Sequence, residues 1–348
     1  MINSLQSLRF IFALMIFHHH FFTNPQVDQF GLFPVSFFFI LSGFVMTMGY
    51  GERVDSKEFS YKTYITKRLI RIFPLNILCL LLYLGLPIFY DVVNHQISLS
   101  KYIYLPLDAL LLQAFIPIKS IYFSGNAVAW YLSDMLFCYL AFPFLVRWLK
   151  GKYGFLIMVL VLLAYFSLVP FIKGEEVHSL LYISPFFRII DFMLGVISYL
   201  LISKVKIRPI NIHILTCVEI LAILIAVLAI LIYPFIPVVY TKASLYWIPS
   251  IVLIIIFFIS DRSGGGGYIS RLLSRKEFVF LGSLSFTFYM LHWIFIRWYR
   301  IIEYKICMHD YPVCGSILCV LLITMISYFY VKRIEPKIVS YLNNKIQK

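Results

Sequence analysis

An all-α, polytopic integral membrane helix bundle is the fold class this sequence predicts, and three observations predict it. Of 348 residues, 61% are hydrophobic and 13% charged, where a soluble globular domain carries about a quarter of charged residues. The apolar residues gather into ten stretches, each near the length of about twenty residues that a helix needs to cross a hydrocarbon core about 30 Å thick. The lysines and arginines are unevenly shared between alternate loops, as in a chain threaded through a bilayer. The net charge of +14 therefore reads as positive inner loops. Nucleic acid is excluded as a partner, because its binding needs a basic stripe on a soluble face.

The spans fall at about 5–22, 30–50, 74–91, 127–147, 153–171, 184–203, 211–233, 244–260, 278–300 and 313–332. The first has neither the early basic segment nor the small-residue cleavage site of a signal peptide, so it is expected to remain as a helix. Residues 102–115 are apolar but short, and read as a surface or re-entrant piece within a longer loop. Loops 51–73, 147–152, 204–210, 261–277 and 332–348 hold 21 of the 30 lysines and arginines, against Lys101, Lys119, Lys173, Lys242 and Lys305 in the opposite set. This bias places both termini in the cytoplasm. The chain divides into one membrane unit, 1–332, and a short basic cytoplasmic tail, 333–348. Gly264 to Gly267 form a flexible patch in a basic inner loop. Cys79, Cys138, Cys217 and Cys319 fall in apolar spans where a small soft side chain packs. Cys307 and Cys314 flank an outer loop, where a disulfide and two free thiols are both open readings.

Ionisable groups inside a span cost roughly 2.5 to 3.5 kcal/mol at a helix centre, so each is a candidate for function. Arg9 and His20 share a face of the first helix, because eleven steps of about 100° return to the same side about 16 Å further along. Both are expected to look into one cavity, with Arg9 near the cytoplasm and His20 near the outer face. His18 and His19 are rotated off that line. Taken alone, Arg9 reads equally as a snorkelling anchor. Arg68 and Arg71, three residues apart at the entry to the third span, are neighbours on one face. Two guanidinium forks side by side suit a phosphate or diphosphate, and they also suit a lipid head-group anchor. Arg188 and Asp191 are spaced to pair across one turn, which points first to a structural ion pair. Ser285, Tyr289 and His292 form a polar stripe at steps of four and three. Asn126 and Asp134 open the fourth span. Metal binding finds little support, since three consecutive histidines cannot converge from one helix and no paired-cysteine or HExxH spacing occurs.

Taken together these residues resemble the acyltransferase family three, integral membrane acyltransferases of bacterial surface carbohydrates such as O-antigen and exopolysaccharide. The resemblance rests on Arg9 with His20, Phe38-Phe-Ile-Leu-Ser42-Gly-Phe44, Arg68-x-x-Arg71-Ile-Phe-Pro74, Trp130-x-Leu-Ser133, Arg188-x-x-Asp191-Phe-x-x-Gly195 and Leu281-Gly-x-x-Ser285-x-x-x-Tyr289-x-x-His292, in that order over nearly the whole chain. It implies a ten-helix bundle in the bacterial inner membrane that moves an acyl group, usually acetyl, from a cytoplasmic acyl-coenzyme A to a hydroxyl of a cell-surface or lipid-linked glycan. It further implies Arg9 and His20 as the essential pair and Arg68 and Arg71 as the donor-binding element. Ser42, Tyr289, His292 and Arg188 are the implied substrate contacts, and no metal is required. At one position the chain departs from the pattern: many relatives carry a glutamate where Met135 stands here, and Asp134 lies about 100° away around the helix. The extra esterase-like domain of some members is lacking, which points to a stand-alone glycan O-acetylase.

On this reading His20, with a reference pKa of about 6.5, serves as general base on the acceptor hydroxyl. An acetyl-imidazole intermediate is an equally open route. The rival class is a transporter or flippase of lipid-linked sugars or organic anions, which would use the same arginines as a substrate path. Such a protein would favour inverted repeats, and the two halves of this chain show no internal similarity.

Overall fold

Inside a bilayer an apolar run has no water to satisfy its backbone groups, so it closes its hydrogen bonds within a helix. The computed structural model describes residues 2–22, 28–93, 102–306 and 312–346, and its long elements are all helical. In chain order they are α1 (Asn3–Phe22), α2 (Gln29–Tyr50), α3 (Tyr61–Val93), α4 (Trp130–Lys150), α5 (Gly154–Leu168), α6 (Pro185–Ile202), α7 (Ile212–Leu231), α8 (Trp247–Arg262), α9 (Lys276–Ile306) and α10 (Pro312–Phe329). A π-helical turn, Tyr330–Ile334, carries α10 into a last helix, α11 (Glu335–Ile346). Among the described residues nine helices are long and apolar enough to cross a membrane. The first helix, at 20 residues, has the length as well, and its histidines, serines and Arg9 are what set it apart in hydropathy.

The expected spans are found with one main correction. The third helix begins at Tyr61 instead of near residue 74, so Arg68 and Arg71 sit within the helix. The basic stretch before Pro74 looked like loop because it is polar, yet proline is tolerated in a spanning helix. The short outer piece is a helix of only six residues, Leu105–Leu110. The Gly264–Gly267 stretch, expected to be flexible, is tied at its end. The buried Glu219 of α7 accepts from Gly267 N at 3.2 Å, Ile269 N at 3.1 Å and the Ser260 hydroxyl at 2.6 Å. Cys307 lies outside the described residues, while Cys314 is an exposed free thiol.

Two helix pairs set the core. The α2 and α6 backbones touch, because Gly43 and Gly195 offer no side chain at the crossing. A Cβ on Gly195 would lie 1.9 Å from the Ile40 carbonyl oxygen, and one on Gly43 would lie 2.0 Å from that of Phe192. Close backbone approach through small residues is how helices gain contact in lipid, where no hydrophobic drive separates one apolar surface from another. Gly282 plays the same part between α9 and α1, its absent Cβ leaving room for the Gln6 carbonyl. Peripheral α7 and α10 instead expose leucines such as Leu221, Leu224, Leu318 and Leu321, the apolar coat a bilayer requires.

Arg188 and Asp191 hold this core together. The Arg188 guanidinium is fully buried and gives its protons to four acceptors: Asp191 Oδ2 at 2.8 Å, Ser36 Oγ at 3.2 Å, Tyr182 O at 2.8 Å and Lys242 O at 2.9 Å. The Trp247 indole N–H donates to the other Asp191 oxygen. Helices α2, α6 and α8 are thereby stapled through one ion pair. At Arg188, which the resemblance implies as a substrate contact, the structure shows the ion pair that the spacing points to, with four hydrogen bonds inside the fold.

Asp108, in the short outer helix, is buried at 1% exposure, and burial pushes its carboxyl from 3.8 up to about 7. A folded-state pKa above the unfolded one means that its contribution to stability is present below about pH 4 and is lost as pH rises toward 7. In Asp108→Asn this part of the pH dependence is expected to vanish. Thermal unfolding between pH 4 and 8 checks it: the variant should gain on the parent as pH rises, and parallel curves would contradict the assignment.

Candidate active site

Six helices contribute to one cavity of about 480 Å³. From α1 come Gln6 and Arg9, from α2 Ser42 and Met46, from α3 Arg68 and Arg71, from α4 Tyr131, Met135 and Tyr139, and from α9 Ser285 and Tyr289. Ile2 and Glu335 also line it, so both ends of the chain stand at the same end of the bundle. By the loop charges that end is cytoplasmic.

The wall carries three arginines among polar side chains. Arg71 is exposed into the opening. Arg68 is held by three tyrosines, 4.8 Å over the Tyr50 ring and 5.8 Å from those of Tyr64 and Tyr139. A guanidinium seated on aromatic faces keeps its outward N–H groups free for an anion. Deeper in, Arg9 Nη1 donates to Gln6 Oε1 at 3.2 Å. The Ser285 hydroxyl is buried without a hydrogen-bond partner among the described residues, and Tyr289 is anchored by donating to Val128 O at 2.9 Å.

His20 is not among the residues that line this cavity, which corrects the expectation that it shares one chamber with Arg9. The helical arithmetic holds, but Ala13, Ile16 and Phe17 between them are buried in packing and close the face. His20 instead meets His292. Its Nδ1 stands 2.9 Å from His292 Nε2, with the rings stacked at 5.1 Å, and Trp293 flanks His20 at 5.3 Å. The pair is close to the cavity, since Tyr289 lines it and His292 follows on α9 after a rise of about 4.5 Å. His18 is exposed and packs on Phe22. His19 lies against Gly31 and 3.8 Å from Asp28.

The hydrogen bonds assign the tautomers of the pair. His292 Nδ1 faces the Tyr289 carbonyl, an acceptor only, so it carries the proton. In a neutral ring Nε2 is then a lone pair, and His20 must donate to it from Nδ1. The proton-free atom of His20 is therefore Nε2, which is the form of a general base.

A family model described as Acyltransferase domain matches residues 2–331. The chain belongs to this acyltransferase family. It is 26% identical over 324 residues to Acyltransferase MdmB of Streptomyces mycarofaciens, a match that covers 85% of this chain and 79% of the relative. No solved structure matches.

In this acyltransferase the departure at Met135 has a clear location. Met135 lines the cavity, whereas Asp134 is fully buried on another side of α4 with neither oxygen hydrogen-bonded among the described residues. A thioether thus occupies this wall position. Tyr131, Tyr139, Gln6 and Glu335 are lining residues that sequence reasoning missed. Tyr131, Met135 and Tyr139 recur at steps of four, a stripe on one helical face, so the first two tyrosines were legible in the pattern.

Proposed function

We propose that this acyltransferase transfers an acyl group, acetyl above all, from coenzyme A on the cytoplasmic side to a hydroxyl of a cell-surface or lipid-linked glycan, in the bacterial inner membrane. The observation that carries the reading is the His20–His292 pair, standing about one helical turn beyond a cavity that holds three arginines. The donor's nucleotide end carries several phosphate charges, which suit the paired forks of Arg68 and Arg71. Its pantetheine arm then follows the cavity past Arg9, Ser42 and Tyr131, with Arg9 holding the arm and the thioester end directed toward His20.

In the chemical step the acceptor oxygen adds to the thioester carbonyl carbon while its proton passes to His20 Nε2. Collapse of the adduct breaks the carbon–sulfur bond, and the proton moves from His20 to the departing sulfur. An ester and the free coenzyme thiol result. General base catalysis of this kind contributes about 10²- to 10⁴-fold. His292 has the role of orienting His20, in place of the acceptor contact implied by the resemblance.

The test is to incubate the purified protein with acetyl-labelled coenzyme A and a surface glycan. Thiol release with label in base-labile ester linkage is expected, and a protein that releases no thiol would sink the proposal. In Arg71→Ala the donor KM should rise about tenfold with kcat nearly unchanged, the pattern of a lost ground-state contact.

A further inference from the structure

On the outer side of the bundle three loops converge in an aromatic and basic cluster. The loop between α3 and α4 brings Lys119, Tyr122 and Phe123, the one between α5 and α6 brings His178 and Tyr182, and the one between α7 and α8 brings Lys242. The His178 ring lies 6.1 Å from Tyr122, 5.9 Å from Phe123 and 5.1 Å from Tyr182, and its Nδ1 is 3.4 Å from the Tyr122 hydroxyl. Lys119 and Lys242 both lie within electrostatic range of His178. Phe123, His178, Tyr182 and Lys242 are only partly buried, and Lys119 is exposed, so the cluster reaches the surface.

Its charge runs against the rest of that side. Only five of the 30 lysines and arginines belong to outer loops, as the topology of a membrane protein favours, yet two of the five meet here. Lys242 makes no ion pair with any described residue, and burial holds its ammonium below the ordinary value, with Asp28 opposing. A half-buried ammonium without a direct counter-ion gains most from an anionic ligand. The cluster is also joined to the acyl-transfer region on two sides. Asp28 reaches His19, the neighbour of His20, at 3.8 Å. Tyr182 packs on Trp130 at 4.9 Å, and Trp130 on Tyr131, a wall residue of the donor cavity, at 6.3 Å.

We infer that this cluster is the acceptor subsite and that its ligand is an anionic saccharide, bearing a carboxylate or phosphate close to the hydroxyl that receives the acyl group. Aromatic faces take the apolar face of a sugar ring, and a few placed polar groups fix its orientation. Lys242 and Lys119 meet the anion, and His178 and the Tyr122 hydroxyl offer hydrogen bonds. The inference rests on the acyltransferase reading above for the use of the site, and on the cluster itself for the ligand.

Binding to the full chain in nanodiscs tests it. The probes are a glucuronate-containing tetrasaccharide, its carboxyl-reduced counterpart and glucose 1-phosphate. At least one charged probe should bind about tenfold more tightly than the reduced saccharide, and Lys242→Gln with Lys119→Gln should erase most of that preference. Affinity for the reduced saccharide serves as the control for folding. Equal affinities for charged and reduced probes, or a preference that survives both substitutions, overturns the inference. Charge-selective binding without any thioester cleavage by the wild type keeps the anionic site and strikes the acyltransferase reading instead.

Discussion

Replacing His20 with alanine is expected to lower acyl transfer by about 10²- to 10⁴-fold, the range of a lost general base, while the protein still inserts and folds. The side chain is half-buried at the end of α1, and among the described residues its direct hydrogen bond is to His292, so its loss leaves the helix crossings at Gly43, Gly195 and Gly282 in place. The variant at His292 separates orientation from chemistry. His292→Phe removes the acceptor that holds His20 Nδ1–H, so kcat should fall about 10- to 100-fold, by analogy with the loss of orienting partners of metal-ligating histidines, with donor KM unchanged. His292→Gln can present an oxygen in place of Nε2 and should recover part of the loss. A drop in both variants that tracks lost thermal stability, with no difference between Phe and Gln, would mean that His292 only packs. Full transfer activity in His20→Ala would remove the general base from the scheme altogether.

Replacing Arg188 with leucine is expected to destabilise the bundle by about 3 to 5 kcal/mol, the cost of stranding a buried charge. Asp191 would lose its ion-pair partner, and the Tyr182 and Lys242 carbonyls and the Ser36 hydroxyl would lose a donor. The double variant Arg188→Leu with Asp191→Leu removes both charges and should recover a good part of the stability, because a buried pair replaced by apolar groups is often close to neutral. Thermal unfolding in detergent reads both. If Arg188 were a ligand contact, the single variant would instead keep its unfolding temperature and raise a substrate KM. The two outcomes distinguish a staple from a binding residue at the same position.

The bundle itself was legible because its causes are local. Apolar runs of near twenty residues and the charge of the loops between them depend only on neighbours in the chain, and these settled the helix count and the pairing of termini at one end. Arg9, Arg68 and Arg71 were legible for a related reason: a cation next to or within an apolar run is costly enough to mark itself. The start of α3 was misplaced because polar composition was taken to end the helix, while helix formation by a polar stretch continuous with a span needs no apolar face of its own.

What the sequence by itself determined is therefore where each polar group sits around its own helix. Only the tertiary structure decided what each one meets, since helical periodicity carries no information on the rotation and depth of neighbouring helices. Arg9 and His20 are on one face, yet buried residues close that face between them. His292, implied as a substrate contact, stands beside His20 only once α9 is set against α1. Glu335 joins Arg9 in the same cavity from the opposite end of the chain, and Arg188 is consumed by groups from four separate segments. Such meetings are fixed by backbone approach at Gly43, Gly195 and Gly282, a property of helix pairs and not of any one stretch of sequence.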